Sequence, residues 1–126
     1  MLLAATGLAA FQFVPYFFAY LKYWGIEGIV GNRGSLPVLP QWAQRAKAAH
    51  QNMSENYPHF AVLVLLSIWL GGESSMTVVG AAMFFCSRLA YAVVYILGIK
   101  WIRSMVYSAG LVGEVLIFCG ILQKMA

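Results

Sequence analysis

Between Trp42 and Leu70 the chain sets two opposite demands on one helix. Its first half, Trp42 to Tyr57, is rich in good helix formers and carries no breaker before Pro58. Its second half, Phe60 to Leu70, is apolar almost throughout. A solvated surface helix has no need of that apolar continuation, and a plain membrane anchor has no need of the polar start. At about 100° per residue, Arg45, Asn52, Glu55, Asn56 and His59 fall within about a third of the helix circumference. The stretch therefore reads as a polar stripe on a helix that ends as a membrane segment.

The remainder of the chain agrees. With 62% hydrophobic and 10% charged residues, there is more apolar surface than a soluble domain of this size can bury. The 126 residues leave room for four spans of about 20 residues joined by short loops. The expected architecture is all-α, a single up-down four-helix membrane domain over residues 1–126, with helices at about 2–24, 40–70, 75–97 and 100–122. Pro15 predicts a kink in the first helix and Pro58 one in the second. Tyr20, Tyr23 and Trp24 suit the membrane–water boundary. Residues 25–40, with Gly25, Gly28, Gly31, Gly34, Pro37 and Pro40, read as the longest loop. Gly71-Gly72 ends the second helix, and Glu73-Ser74-Ser75 suits the start of the third. The turn at 98–100 is short enough to make the third and fourth helices antiparallel neighbours.

The formal charge of +4 is no nucleic-acid signal, because its basic residues are spread over loops and helix ends. Lys22, Arg33, Arg45, Lys47, Lys100 and Arg103 flank the first and third loops, whereas the second offers Glu73. The positive-inside rule puts the first and third loops in the cytoplasm. Cys86 and Cys119 lie inside apolar segments and read as small buried hydrophobes.

Two further helices carry polar faces. Arg88, Tyr91 and Tyr95 share one face of the third, and Arg103, Tyr107, Gly110 and Glu114 fall within about 60° on the fourth. Each charge at mid-bilayer costs about 2.5–3.5 kcal/mol, so Glu55, Arg88, Arg103 and Glu114 facing lipid would cost on the order of 10 kcal/mol. They must face one another, a neighbouring subunit or a wet cavity. Basic and phenolic groups from three helices suit a small anionic, hydrogen-bonding ligand. The competing reading is a structural ion pair such as Arg88 with Glu55, joining helices. His50 and His59, with Glu55, match no zinc spacing and read as packing or interface residues, with no metal site.

Three segments carry a family resemblance. Arg45, then Ala49-His50-x-Asn52-x-x-Glu55-Asn56-x-Pro58-x-Phe60, resembles the second-helix signature of the MAPEG superfamily, the membrane-associated proteins in eicosanoid and glutathione metabolism. Arg88-x-x-Tyr91-x-x-x-Tyr95 is similar to its third helix, and Ile102-Arg103-Ser104-x-x-Tyr107-Ser108 to the start of its fourth. The resemblance covers essentially the whole chain and, in loop length, is nearer bacterial members, which implies a bacterial inner membrane. It implies a homotrimer surrounded by lipid, with glutathione as co-substrate bound between subunits and a hydrophobic second substrate entering from the bilayer. By the same resemblance Asn52 and Glu55 hold the tripeptide's backbone and amine, Arg88 and Tyr95 reach its polar groups, and Arg45 and Tyr107 help line the site. Arg33 corresponds to a loop arginine on a glutathione carboxylate. Arg103, with Ser104 beside it, lies at the sulfur and carries the chemistry.

That chemistry is physically coherent. Glutathione bears two carboxylates and an ammonium, so its site needs fixed cations and at least one anion. A guanidinium stays charged in a dry site and favours thiolate over thiol. The sequence departs from the synthases at Ala48 and Gln51, where they place arginines, so no particular eicosanoid follows. A general transferase or peroxidase-like activity on lipophilic electrophiles is the leading reading. A non-catalytic protein binding a lipid or partner is the second, and a small transporter using Glu55 or Glu114 as a proton or cation site is the third.

Overall fold

The computed structural model describes residues 1–32 and 36–126. Five helical pieces follow one another: α1 Leu2–Phe11, α2 Val14–Val30, α3 Gln41–Trp69, α4 Ser75–Leu97 and α5 Lys100–Met125. Among the described residues there is no strand. The stretches Leu2–Val30, Ser75–Leu97 and Lys100–Met125 are each long and apolar enough to cross a bilayer. α3 has 29 residues, or about 44 Å at 1.5 Å per residue, so it is longer than a hydrocarbon core of about 30 Å.

The first rod is broken where Pro15 requires it. α1 ends at Phe11 and α2 begins at Val14 with the proline at its second position. There the missing N–H is one that the first turn leaves unpaired in any case. The expected loop from residue 25 starts later than the sequence suggested. At Gly25 the backbone turns with φ +66°, and helix resumes to Val30. Trp24 then ties the returning loop to α2, its indole N–H donating to the Pro37 carbonyl at 2.7 Å. Pro58 is carried inside α3 without interruption, and α5 runs three residues beyond its expected end at 122.

Lipid is as apolar as leucine, so close packing and internal hydrogen bonds hold such a bundle together more than exclusion of water does. Phe60 of α3 stacks on Phe84 of α4 with ring centroids 4.0 Å apart, among buried Ala5, Met53, Ala81, Ile117 and Ile121. The α4–α5 seam is tighter still. A Cβ added to Gly80 would lie 2.5 Å from the Gly113 carbonyl oxygen, and one added to Gly113 would lie 2.6 Å from that of Gly80. The two backbones touch directly, as small residues permit.

Polar groups fix the ends and the kink. Ser74 and Thr77 form a reciprocal capping box at the start of α4. His50 of α3 spans the break in the first rod, with Nδ1 2.8 Å from the Tyr16 hydroxyl and Nε2 3.2 Å from the Ala9 carbonyl. The neutral ring with its proton on Nε2 satisfies both contacts, donating to Ala9 and accepting from Tyr16. Thr6 and Tyr57 add a hydroxyl–hydroxyl bond of 2.7 Å between α1 and α3.

Candidate functional site

The polar faces of α3, α4 and α5 meet at the end of the bundle where α4 stops and α5 begins. Arg88, just past the midpoint of α4, is 2% exposed. Its Nη1 donates to Asn52 Oδ1 at 3.0 Å and its Nη2 to Asn56 Oδ1 at 3.3 Å. The guanidinium lies over the rings of Phe84 and Tyr107, 5.0 and 4.9 Å from their centroids. It fits only because α5 has no side chain opposite: a Cβ on Gly110 would stand 2.9 Å from Nη2. The ion pair with Glu55 considered above does not form. Glu55 is exposed and accepts from Gln51 Nε2 at 3.2 Å on its own helix.

The contact with Arg88 sets the chemistry of Asn52. A guanidinium can only donate, so the amide must turn its oxygen towards Arg88. The NH₂ group of Asn52 is thereby left as a donor for the adjoining space. That space is a pocket of about 270 Å³ lined by Asn52, Tyr91, Arg103, Ser104 and Tyr107. Arg103 is half-buried, with its guanidinium 4.7 Å from the Tyr95 ring centroid. Tyr91 packs edge-on against Tyr95, at 5.3 Å, and at a tilt against Tyr107, at 6.1 Å. The pocket so formed offers a cation, an amide donor and hydroxyls within an aromatic wall.

Arg45 has a different setting. Its Nε donates to the Ile96 carbonyl at 3.0 Å, in the last turn of α4. A cation there satisfies an orphan carbonyl and opposes the negative end of the helix dipole. The remainder of Arg45 lines a neighbouring recess with Gln41, Gln44, Ala48 and Tyr95. A larger recess of about 530 Å³ lies between the first loop and the start of α3, lined by Trp24, Gln44, Lys47, Ala48 and Gln51 among others. It contains both positions where the sequence departs from the synthase pattern, with Lys47 as its cation.

Of the residues singled out by sequence, Asn52, Arg103, Ser104 and Tyr107 therefore come together around one pocket. Arg88 stands behind it, Tyr95 beside Arg103, and Arg45 one recess away. Glu55 points elsewhere within this chain, and Arg33 lies outside the described residues. Asn56 and Tyr91 also belong to the cluster, although the sequence alone gives neither a ligand role. Both were on the right faces, Asn56 one turn from Asn52 and Tyr91 one turn from Arg88.

Apolar helices long enough to cross a bilayer, with an arginine–tyrosine pocket between them, define the class: an integral membrane protein with a polar pocket among its helices. Comparison with known families is specific: the chain matches the MAPEG family model over residues 1–122. It belongs to that family of membrane proteins of eicosanoid and glutathione metabolism. Searches among curated proteins and among solved structures return no match.

Proposed function

We propose that the protein is a membrane glutathione-dependent transferase, with peroxidase-like capability, acting on lipophilic electrophiles. The observation that carries this reading is the convergence of Arg103, Ser104, Tyr107, Tyr91 and Asn52 on one pocket at the end of the bundle. Arg103 stabilises the thiolate, and the Asn52 amide donates to a backbone carbonyl of the tripeptide. The thiol gives up its proton to water, and its sulfur forms a bond to the electrophilic atom, whose displaced electron pair departs with the leaving group or takes a proton from water. With a hydroperoxide the alcohol leaves, and a second glutathione thiol then displaces hydroxide from the oxidised sulfur to give the disulfide and water. The electrophile enters laterally from lipid, past the exposed apolar flank of Trp101, Ile102 and Met105 beside Arg103.

We further propose a homotrimer with glutathione between subunits. The support is the set of polar groups that α3 leaves exposed within one chain, Gln51, Glu55 and His59. Such groups on a helix in or near lipid need a partner, and a neighbouring copy supplies one for Glu55, completing a site for the ligand's ammonium. The first and third loops are assigned to the cytoplasmic side of a bacterial inner membrane, which puts the pocket within reach of a soluble thiol. A second reading, a non-catalytic protein binding a lipid or partner, is favoured by Ala48 and Gln51, which replace two cations in the recess beside the pocket.

Calorimetry with glutathione and single-turnover kinetics separate the two. Arg103→Leu removes one electrostatic stabiliser of the thiolate, so turnover should fall by about 10²-fold or more and the ultraviolet absorbance of bound thiolate should vanish. Arg103→Lys should rescue only partly, because an ammonium is more strongly hydrated and lacks the planar fork. Asn52→Ala should raise the glutathione requirement more than it lowers the saturated rate. No binding heat at millimolar glutathione would support the non-catalytic reading. Equal loss of melting temperature and activity in Arg103→Leu would refute the role given to Arg103.

A further inference from the structure

Arg88 is fully buried among the helices, yet both of its hydrogen-bond partners are neutral amide oxygens. A guanidinium held this way still lacks a compensating charge, and burying it without one is costly. The chain has four acids, Glu27, Glu55, Glu73 and Glu114. Glu27 lies at the end of α2 and Glu73 in the connection before α4, both far along the chain from any turn that packs on Arg88. Glu55 is exposed and engaged with Gln51.

Glu114 is differently placed. It follows Gly110 by one turn of α5, on the face whose missing side chain makes room for the guanidinium. Among the described residues, three buried side-chain polar atoms lack a hydrogen-bond partner, and two of them are Arg88 Nε and Glu114 Oε1. No hydrogen bond joins these two atoms, but the two charges lie near enough to favour each other, with Tyr91 and Tyr107 also near Arg88 and His59 also near Glu114.

We propose that Glu114 is the counter-charge of Arg88, and that this pair across the α4–α5 seam is a positioning device that holds Asn52 as an amide donor in the Arg103 pocket. Arg88 is then committed inside the protein, and Arg103 is left as the cation that meets an incoming anion. Anion selectivity of the pocket is therefore set by the single guanidinium of Arg103, with Arg45 and Lys47 in the recesses beside it, and not by two guanidinia in one pocket. The inference rests on the pocket described above but not on which thiol or anion fills it.

The sequence supplies a direct test, because its asparagines are Asn32, Asn52 and Asn56. Protein labelled with ¹⁵N-asparagine gives three side-chain amide groups, assigned by Asn52→Asp and Asn56→Asp. In Glu114→Gln, an isosteric change, the Asn52 and Asn56 signals should shift while that of Asn32 stays in place. Unmoved Asn52 and Asn56 signals would overturn the proposal, and movement of all three would show general disruption and overturn it equally. Thermal unfolding provides an independent check. Arg88→Met leaves Glu114 unpaired, so the double variant Arg88→Met/Glu114→Gln should melt above Arg88→Met alone. A double variant that melts at or below the single one refutes the pairing. If Arg88→Met does not fold, the Glu114→Gln spectrum decides alone. None of these measurements needs glutathione to bind, so a failed titration with that thiol tells against the proposed activity and leaves the pair standing.

Discussion

The contact between Gly80 and Gly113 yields the sharpest mechanical prediction. In Gly113→Ala the new methyl would sit 2.6 Å from the Gly80 carbonyl oxygen and 2.9 Å from the Phe84 amide nitrogen. Both neighbours are backbone, so no side chain can rotate away and the helices themselves must separate. A gap of about 0.5–1 Å forfeits a quarter to a half of each dispersion contact along the seam, and overpacking of this kind costs about 1–3 kcal/mol. Alanine's better helix propensity returns about 1 kcal/mol. The net expectation is a loss of about 0–2 kcal/mol. Gly7→Ala is the matched control, because its Cβ meets nothing within 4 Å and the propensity gain stands alone. The two variants should therefore differ by about 1–3 kcal/mol, with Gly7→Ala above the parent and Gly113→Ala at or below it. Thermal unfolding of both in the same mild detergent measures the difference. The separation should also loosen the stacking of Arg88 over Tyr107, which spans the same seam at 4.9 Å. Gly113→Ala as stable as Gly7→Ala would refute the claim that backbone contact holds α4 to α5.

Three further outcomes are expected. Gly98→Ala puts a side chain at φ +81° and within 2.9 Å of Arg45 Nη1, so it should cost about 1–2 kcal/mol and free the Arg45–Ile96 bond, both visible as a lowered unfolding midpoint. Ser74→Ala removes the acceptor of the α4 capping box and should cost about 1 kcal/mol, whereas Ser75→Ala beside it should be close to neutral. His50→Leu leaves the Tyr16 hydroxyl and Ala9 carbonyl without their partner and should cost about 1–3 kcal/mol; His50→Gln, which keeps a donor and an acceptor, should recover part of that loss in the same melt.

Helical periodicity carried most of the architecture and one face of the site. The fourth-helix set of Arg103, Tyr107, Gly110 and Glu114 does lie on one side of α5, since Gly110 and Tyr107 both touch Arg88. What periodicity cannot supply is where a stripe is cut by its neighbours. Asn52, Glu55 and Asn56 fall within about 100° of arc, yet α4 packs on Asn52 and Asn56 and leaves Glu55 outside. A single rotation of α3 by less than one residue's angle would reverse that choice, and nothing in the local sequence fixes the rotation. It is fixed by Phe60 stacking on Phe84 and by His50 reaching across the kink of the first rod. Arg45 shows the same limit at the other end of the helix. Its charge was legible, but its capping of Ile96 depends on α4 ending beside the start of α3, a contact between residues far apart in sequence. Residues of one stripe thus acquire separate roles only through tertiary packing. For this reason the charge balance of the pocket depends on Arg88 and Glu114 together, since neither alone decides which cation is left for a ligand.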